Sequence, residues 1–199
     1  MTATTPAGAT QTRNPNPSIW VLAAAAGGGC ALLAAAIATV AGDAAASILE
    51  WILIAAVAAI GAWLAVYDFR ERRLPNRLVW PLYAVTGVLT ASCAIVTGDY
   101  VRFGVAVLAG GLLWAIYFAL GLLGAVAYGD VKIAGALGLA LGWWGIIPAL
   151  IGAAAAYFLA LPHAAVHAAT KRGRQIPFGP YMVAGTVAVA LWHLLTTHS

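Results

Sequence analysis

The sequence predicts an all-α fold, a polytopic membrane helix bundle of about seven transmembrane helices. Three observations carry that prediction. Hydrophobic residues fill 63% of the 199 positions and charged residues only 8%, against about 45–50% and about 25% in ordinary soluble domains. The mean hydropathy is +0.93. The apolar residues come in long continuous runs, without the in/out alternation that a barrel wall requires. A soluble globule cannot cover this much apolar surface with so few charges, and disorder needs the opposite balance. Lipid is therefore the expected solvent.

Residues 1–17 are polar and rich in Pro, Thr and Asn, with Arg13 as their one charge. They read as a short disordered cytoplasmic tail, ahead of a single membrane-embedded domain over 18–199. Apolar runs follow at 18–41, 48–67, 78–97, 103–126, 131–146, 147–167 and 177–196. The first is longer than the about 7–15 apolar residues of a signal-peptide core, which favours a retained helix; its removal would leave six. The fifth is short. Its boundary with the sixth rests on Trp143, Trp144 and Gly145, since paired tryptophans suit a membrane–water interface.

Basic residues orient the bundle. With the tail inside and seven spans, Arg13, Arg70, Arg72, Arg73, Arg77, Lys132, Lys171, Arg172 and Arg174 all fall on the inner side, leaving only Arg102 outside. The positive-inside rule then sets the amino terminus in the cytoplasm and the carboxy terminus outside. The formal charge of +4 is thus a topology signal rather than a nucleic-acid footprint. Cys30 and Cys93 lie inside apolar runs and read as small buried hydrophobes. His163, His167, His193 and His198 form no metal-ligand pattern with acids or cysteines, so no metal and no cofactor is expected.

Six acids remain. Asp43 and Asp99 sit in short Gly-Asp turns, Glu50 near the outer start of the second span, and Glu71 within the basic loop. These positions have ordinary explanations. Asp68 and Asp130 differ, because the topology brings both to the inner membrane boundary although 62 positions separate them. A carboxylate at membrane depth is costly and marks a functional site by default. Two that meet would share one proton near neutral pH, the state in which one carboxylate takes a proton from water while the other donates. The plain alternative is that each caps a helix or pairs with nearby arginines.

The words around these acids resemble the type IV prepilin peptidases, membrane aspartic peptidases of the GxGD class. Three blocks match in family order: Asp68-Phe69-Arg70-Glu71-Arg72-Arg73-Leu74-Pro75-Asn76, then Gly129-Asp130-Val131-Lys132 leading into a small-residue helix, then Ile176-Pro177-Phe178-Gly179-Pro180. The resemblance covers about residues 60–190 and implies Asp68 and Asp130 as the catalytic pair. It also implies a prepilin or pseudopilin precursor as substrate and membrane lipid as surroundings, in the inner membrane. Two departures stand out. Ala127 occupies the first glycine position of the signature, and the paired Cys-x-x-Cys insert of the long form is absent from this sequence. The chain therefore resembles the short form. Full-length members also N-methylate the new terminus.

Supporting roles follow from local chemistry. Gly129 removes a side chain just before the acid, so an extended peptide can approach. Pro75 and Asn76 start the third span after a chain break, and Pro177, Gly179 and Pro180 open the seventh, where a substrate-lining role competes with a plain helix start. Lys132, two residues from Asp130, is a snorkelling anchor first and a field on the acid second. Gly135, Gly138 and Gly142 mark a helix built for close packing. The competing functions are a small proton-coupled transporter using the same acids, for which no internal repeat is visible, and an inactive homologue acting as a scaffold, motivated by Ala127.

Overall fold

The structure is a computed structural model that describes residues 43–71, 76–169 and 178–197. The tail and the run 18–41 lie outside the described residues. Within them the chain forms six α-helices and no strand: α1 (Asp43–Glu71), α2 (Asn76–Thr97), α3 (Tyr100–Leu122), α4 (Tyr128–Gly142), α5 (Ile146–Ala169) and α6 (Gly179–Thr197). These correspond to the second to seventh predicted runs. All but α4 are long and apolar enough to cross a membrane. The chain is thus an all-helical membrane bundle whose polar backbone is satisfied within each span, as lipid demands.

The short helix sits at the centre. The 15-residue α4 touches all five other helices, and nearly every side chain from Asp130 to Trp143 is buried. Its closest partner is α3, and the glycines explain why. A Cβ at Gly142 would stand 2.6 Å from the Ala106 Cα, and one at Gly138 would stand 2.9 Å from the Ala109 carbonyl oxygen. Gly110 of α3 returns the contact, 2.9 Å from the Gly135 carbonyl oxygen. Only hydrogen fits at these crossings, so the backbones approach as small residues allow in membranes. The expected small-residue face therefore joins α4 to α3 rather than to α1, which carries Asp68.

Tight turns set the remaining connections. Gly145 has φ +125°, a conformation glycine reaches without strain, and it turns the chain from α4 into α5. Asp99 accepts the Arg102 N–H at 3.0 Å as the N-cap of α3 and pairs with the Arg102 guanidinium at 2.9 Å. The buried hydroxyls of Thr86 and Thr90 in α2 bond back to the Leu82 and Thr86 carbonyls, both at 2.7 Å, so neither is left polar against lipid. Cys93 is buried and free, in keeping with its reading as a small hydrophobe.

Candidate active site

Helix directions decide what can meet. The Trp143 indole N–H donates to the Glu50 carboxylate at 2.7 Å, inside the bundle, across 93 positions of chain. Successive spans alternate in direction, so α4 runs antiparallel to α1, and this bond ties the early part of α1 to the end of α4. Asp68, in the last turn of α1, and Asp130, in the first turn of α4, therefore lie at the same end of the bundle. Counting along the helices from the bond, Asp68 is ~27 Å away and Asp130 ~20 Å, a stagger of little more than one turn. The side chain of Asp68 lies outside the described residues.

Asp130 is 4% exposed. Helix geometry makes that burial tolerable. It sits where the leading N–H groups of α4 lack partners within the helix, and the positive end of the helix dipole favours a carboxylate there. Its own N–H bonds the Ala127 carbonyl at 3.0 Å. Ala127 is the exposed N-cap with φ −72° and ψ 145°, an extended conformation that alanine adopts freely. The departure from glycine at this position imposes no backbone strain.

Aromatic side chains close the site. Tyr117 on α3, Tyr157 on α5 and Phe178 before α6 stand in file, with ring centroids 6.2 Å and then 4.8 Å apart. Beside Phe178, His163 of α5 and Tyr181 of α6 share a hydrogen bond. A cavity of about 10 Å³ lies between α3, α4, α5 and α6, lined in part by Tyr117, Ala134, Met182 and Thr186. Its size is roughly that of one water. Among the described residues no group of three His, Cys, Asp or Glu gathers to hold a metal.

The other predicted site residues divide by place. Gly129 is half-buried directly before Asp130, and Lys132 is half-buried two residues after it. Gly179 is buried and Pro180 half-buried at the start of α6, next to Phe178 and so beside the aromatic file. Asn76 is the first residue of α2, with a side chain outside the described set, and Pro177 lies outside the described residues altogether.

Sequence reasoning missed three residues. Tyr117 and Tyr157 look like any aromatic in a span that is apolar all round. Glu50 passed as an ordinary outer acid, yet it is only 9% exposed. An acid two positions inside a predicted span was the signal available for it. Trp143 also departs from expectation. It is almost wholly buried rather than interfacial, because its N–H serves Glu50.

Comparison with known proteins identifies the family. The model of the type IV leader peptidase family matches residues 55–164, a stretch that contains both Asp68 and Asp130. The prepilin leader peptidase/N-methyltransferases of Aeromonas salmonicida and Aeromonas hydrophila are each 35% identical over 164 residues, covering 76% of this chain and 50% of theirs. The chain spans about half the length of these curated relatives. No solved structure matches it. With more than half of its residues inside the family model and that level of identity, the chain belongs to the type IV leader peptidase family.

Proposed function

We propose that the chain is an aspartic endopeptidase of the inner membrane that removes the leader of type IV prepilin or pseudopilin precursors at the cytoplasmic face. The observation that carries the reading is Asp130: a buried carboxylate in the first turn of the central helix, at the bundle end where α1 brings Asp68. Nine of the ten basic residues fall on that side of the topology, which sets the amino terminus and the acids in or against the cytoplasm. A substrate with a basic leader would be held there by the same rule.

The chemistry needs only the pair and a water. In the resting state Asp68 and Asp130 hold one proton between them, since two close carboxylates in a poorly solvated site do not both ionise. The ionised member takes a proton from water, whose oxygen bonds to the scissile carbonyl carbon. The protonated member donates to the carbonyl oxygen, giving a neutral gem-diol. Collapse returns a proton to the pair and passes another to the amide nitrogen as the C–N bond breaks. Gly129 leaves room for an extended peptide beside Asp130, and Gly179 and Pro180 line the approach from α6. Lys132 and Asn76 support the two acid-bearing segments. We assign the chain the proteolytic half of its relatives' double name.

Exchange of either acid tests the reading. Asp130→Asn or Asp68→Asn, co-expressed with a prepilin, should lower leader removal by at least about 10²–10⁴-fold, the usual contribution of an acid–base group. Electrophoretic mobility of the processed precursor reads the result. Wild-type processing by either variant ends the proposal.

A further inference from the structure

Tyr117 carries a hydroxyl the fold does not use. The residue is 1% exposed, and its oxygen is fully buried with no hydrogen-bond partner among the described residues. The Tyr157 hydroxyl is its polar neighbour, outside direct hydrogen-bond geometry but near enough for the two phenols to interact. The buried hydroxyls of Thr86 and Thr90, by contrast, are satisfied. Buried donors are almost always paired, so an idle one calls for a reason. A phenylalanine would fill the same space without the loss of hydration.

Position supplies the reason. Tyr117 lies toward the end of α3 that leads into α4, whose first turn carries Asp130. One side of the ring borders the water-sized cavity with Ala134, one helical turn beyond Asp130. The other side meets Tyr157, whose own ring is covered by Phe178. Tyr117 thus lies behind Tyr157, which reaches the surface, and shares the cavity wall with the helix that carries Asp130.

We infer that Tyr117 is a catalytic residue, a hydrogen-bond donor kept free for the scissile carbonyl oxygen as the tetrahedral intermediate forms. The inference rests on the aspartic-peptidase reading above. When water adds, the carbonyl π-bond opens and negative charge grows on that oxygen until the protonated aspartate delivers its proton. The phenol O–H stabilises the growing charge without giving up its own proton, so the proton count of the acid pair is unchanged. Such a donor acts most strongly where water is excluded and where it needs no reorientation.

Tyr117→Phe removes one oxygen and leaves the ring. With a prepilin reconstituted in liposomes, kcat for leader release should fall about 10²–10³-fold with KM little changed, as for the loss of one oxyanion donor. The thermal unfolding midpoint in detergent should hold or rise, because no bond is lost. An unchanged kcat overturns the inference, and so does a fall in kcat accompanied by a lower midpoint, which would make the hydroxyl structural. Asp130→Asn, assayed in parallel, separates the two levels. If it is inactive while Tyr117→Phe cleaves normally, the role of Tyr117 alone fails; if it cleaves normally, the peptidase reading fails and takes this inference with it.

Discussion

Among the described residues each end of the bundle holds one buried carboxylate, Glu50 or Asp130, and the two are treated differently. At one end Glu50 receives the Trp143 indole N–H, the Arg102 guanidinium lies 6.0 Å from the centre of that indole ring, and Asp99 holds Arg102 in turn. Polar groups there form a chain running from the surface to the buried acid. At the other end Asp130 lies in the first turn of α4 beside a tyrosine whose hydroxyl is uncommitted. The contrast teaches that one end commits its donor to holding helices together while the other keeps a hydroxyl in reserve, which on the proposed function serves the chemistry. A committed donor locks helices together. An uncommitted one costs stability and is retained where something else will use it.

The comparison can be broken at four places, beginning with the strongest. Trp143→Phe removes the donor that joins α4 to α1 and should lower unfolding free energy by about 2–4 kcal/mol, since it strips a partner from a buried carboxylate. Glu50→Gln keeps an acceptor for the indole and should cost clearly less. Denaturant titration in detergent would rank the two, and equal losses would show that charge rather than the hydrogen bond matters. Gly142→Ala comes next. Its new methyl meets the Ala106 backbone, which cannot yield as a side-chain tip can, and overpacking of this kind costs about 1–3 kcal/mol. Asp99→Ala should cost only about 1 kcal/mol, the worth of an N-cap, because its ion pair with Arg102 is largely exposed and adds little. The same titration reads both. Smallest of all is the stability effect of Tyr117→Phe, which should be nil or slightly favourable. Of all these variants it alone should separate activity from stability.

What could be read from the sequence follows from how far each signal extends along the chain. Hydropathy is local and sums over twenty residues, so the six described helices appear close to where the apolar runs put them, and the Trp143–Gly145 boundary falls in place. The position of Asp130 was legible because a carboxylate amid apolar residues has no neutral interpretation. Pairings were not. Nothing near Glu50 points to Trp143, since a single hydrogen bond across 93 positions leaves no local pattern. Tyr117 stands among Trp114 and Phe118 in a span apolar on every side, and only the packed bundle turns it inward while those two face out. The glycines of α4 announced close packing but not the partner. That choice depended on Ala106, Ala109 and Gly110 of α3, small residues whose alignment emerges only once the helices are side by side.

The brevity of α4 has its own consequence. Fifteen residues span ~22 Å, against a hydrocarbon core of ~30 Å, and the helix is walled in by longer neighbours. Asp130, in its first turn, is therefore flanked by helices longer than its own. On the proposed function, a peptide cut beside it would gain an ammonium and a carboxylate at the edge of the membrane. Hydration of those two new ends would draw the fragments apart, so that departure of the products uses the same preference of charge for water that makes burial of the acid costly.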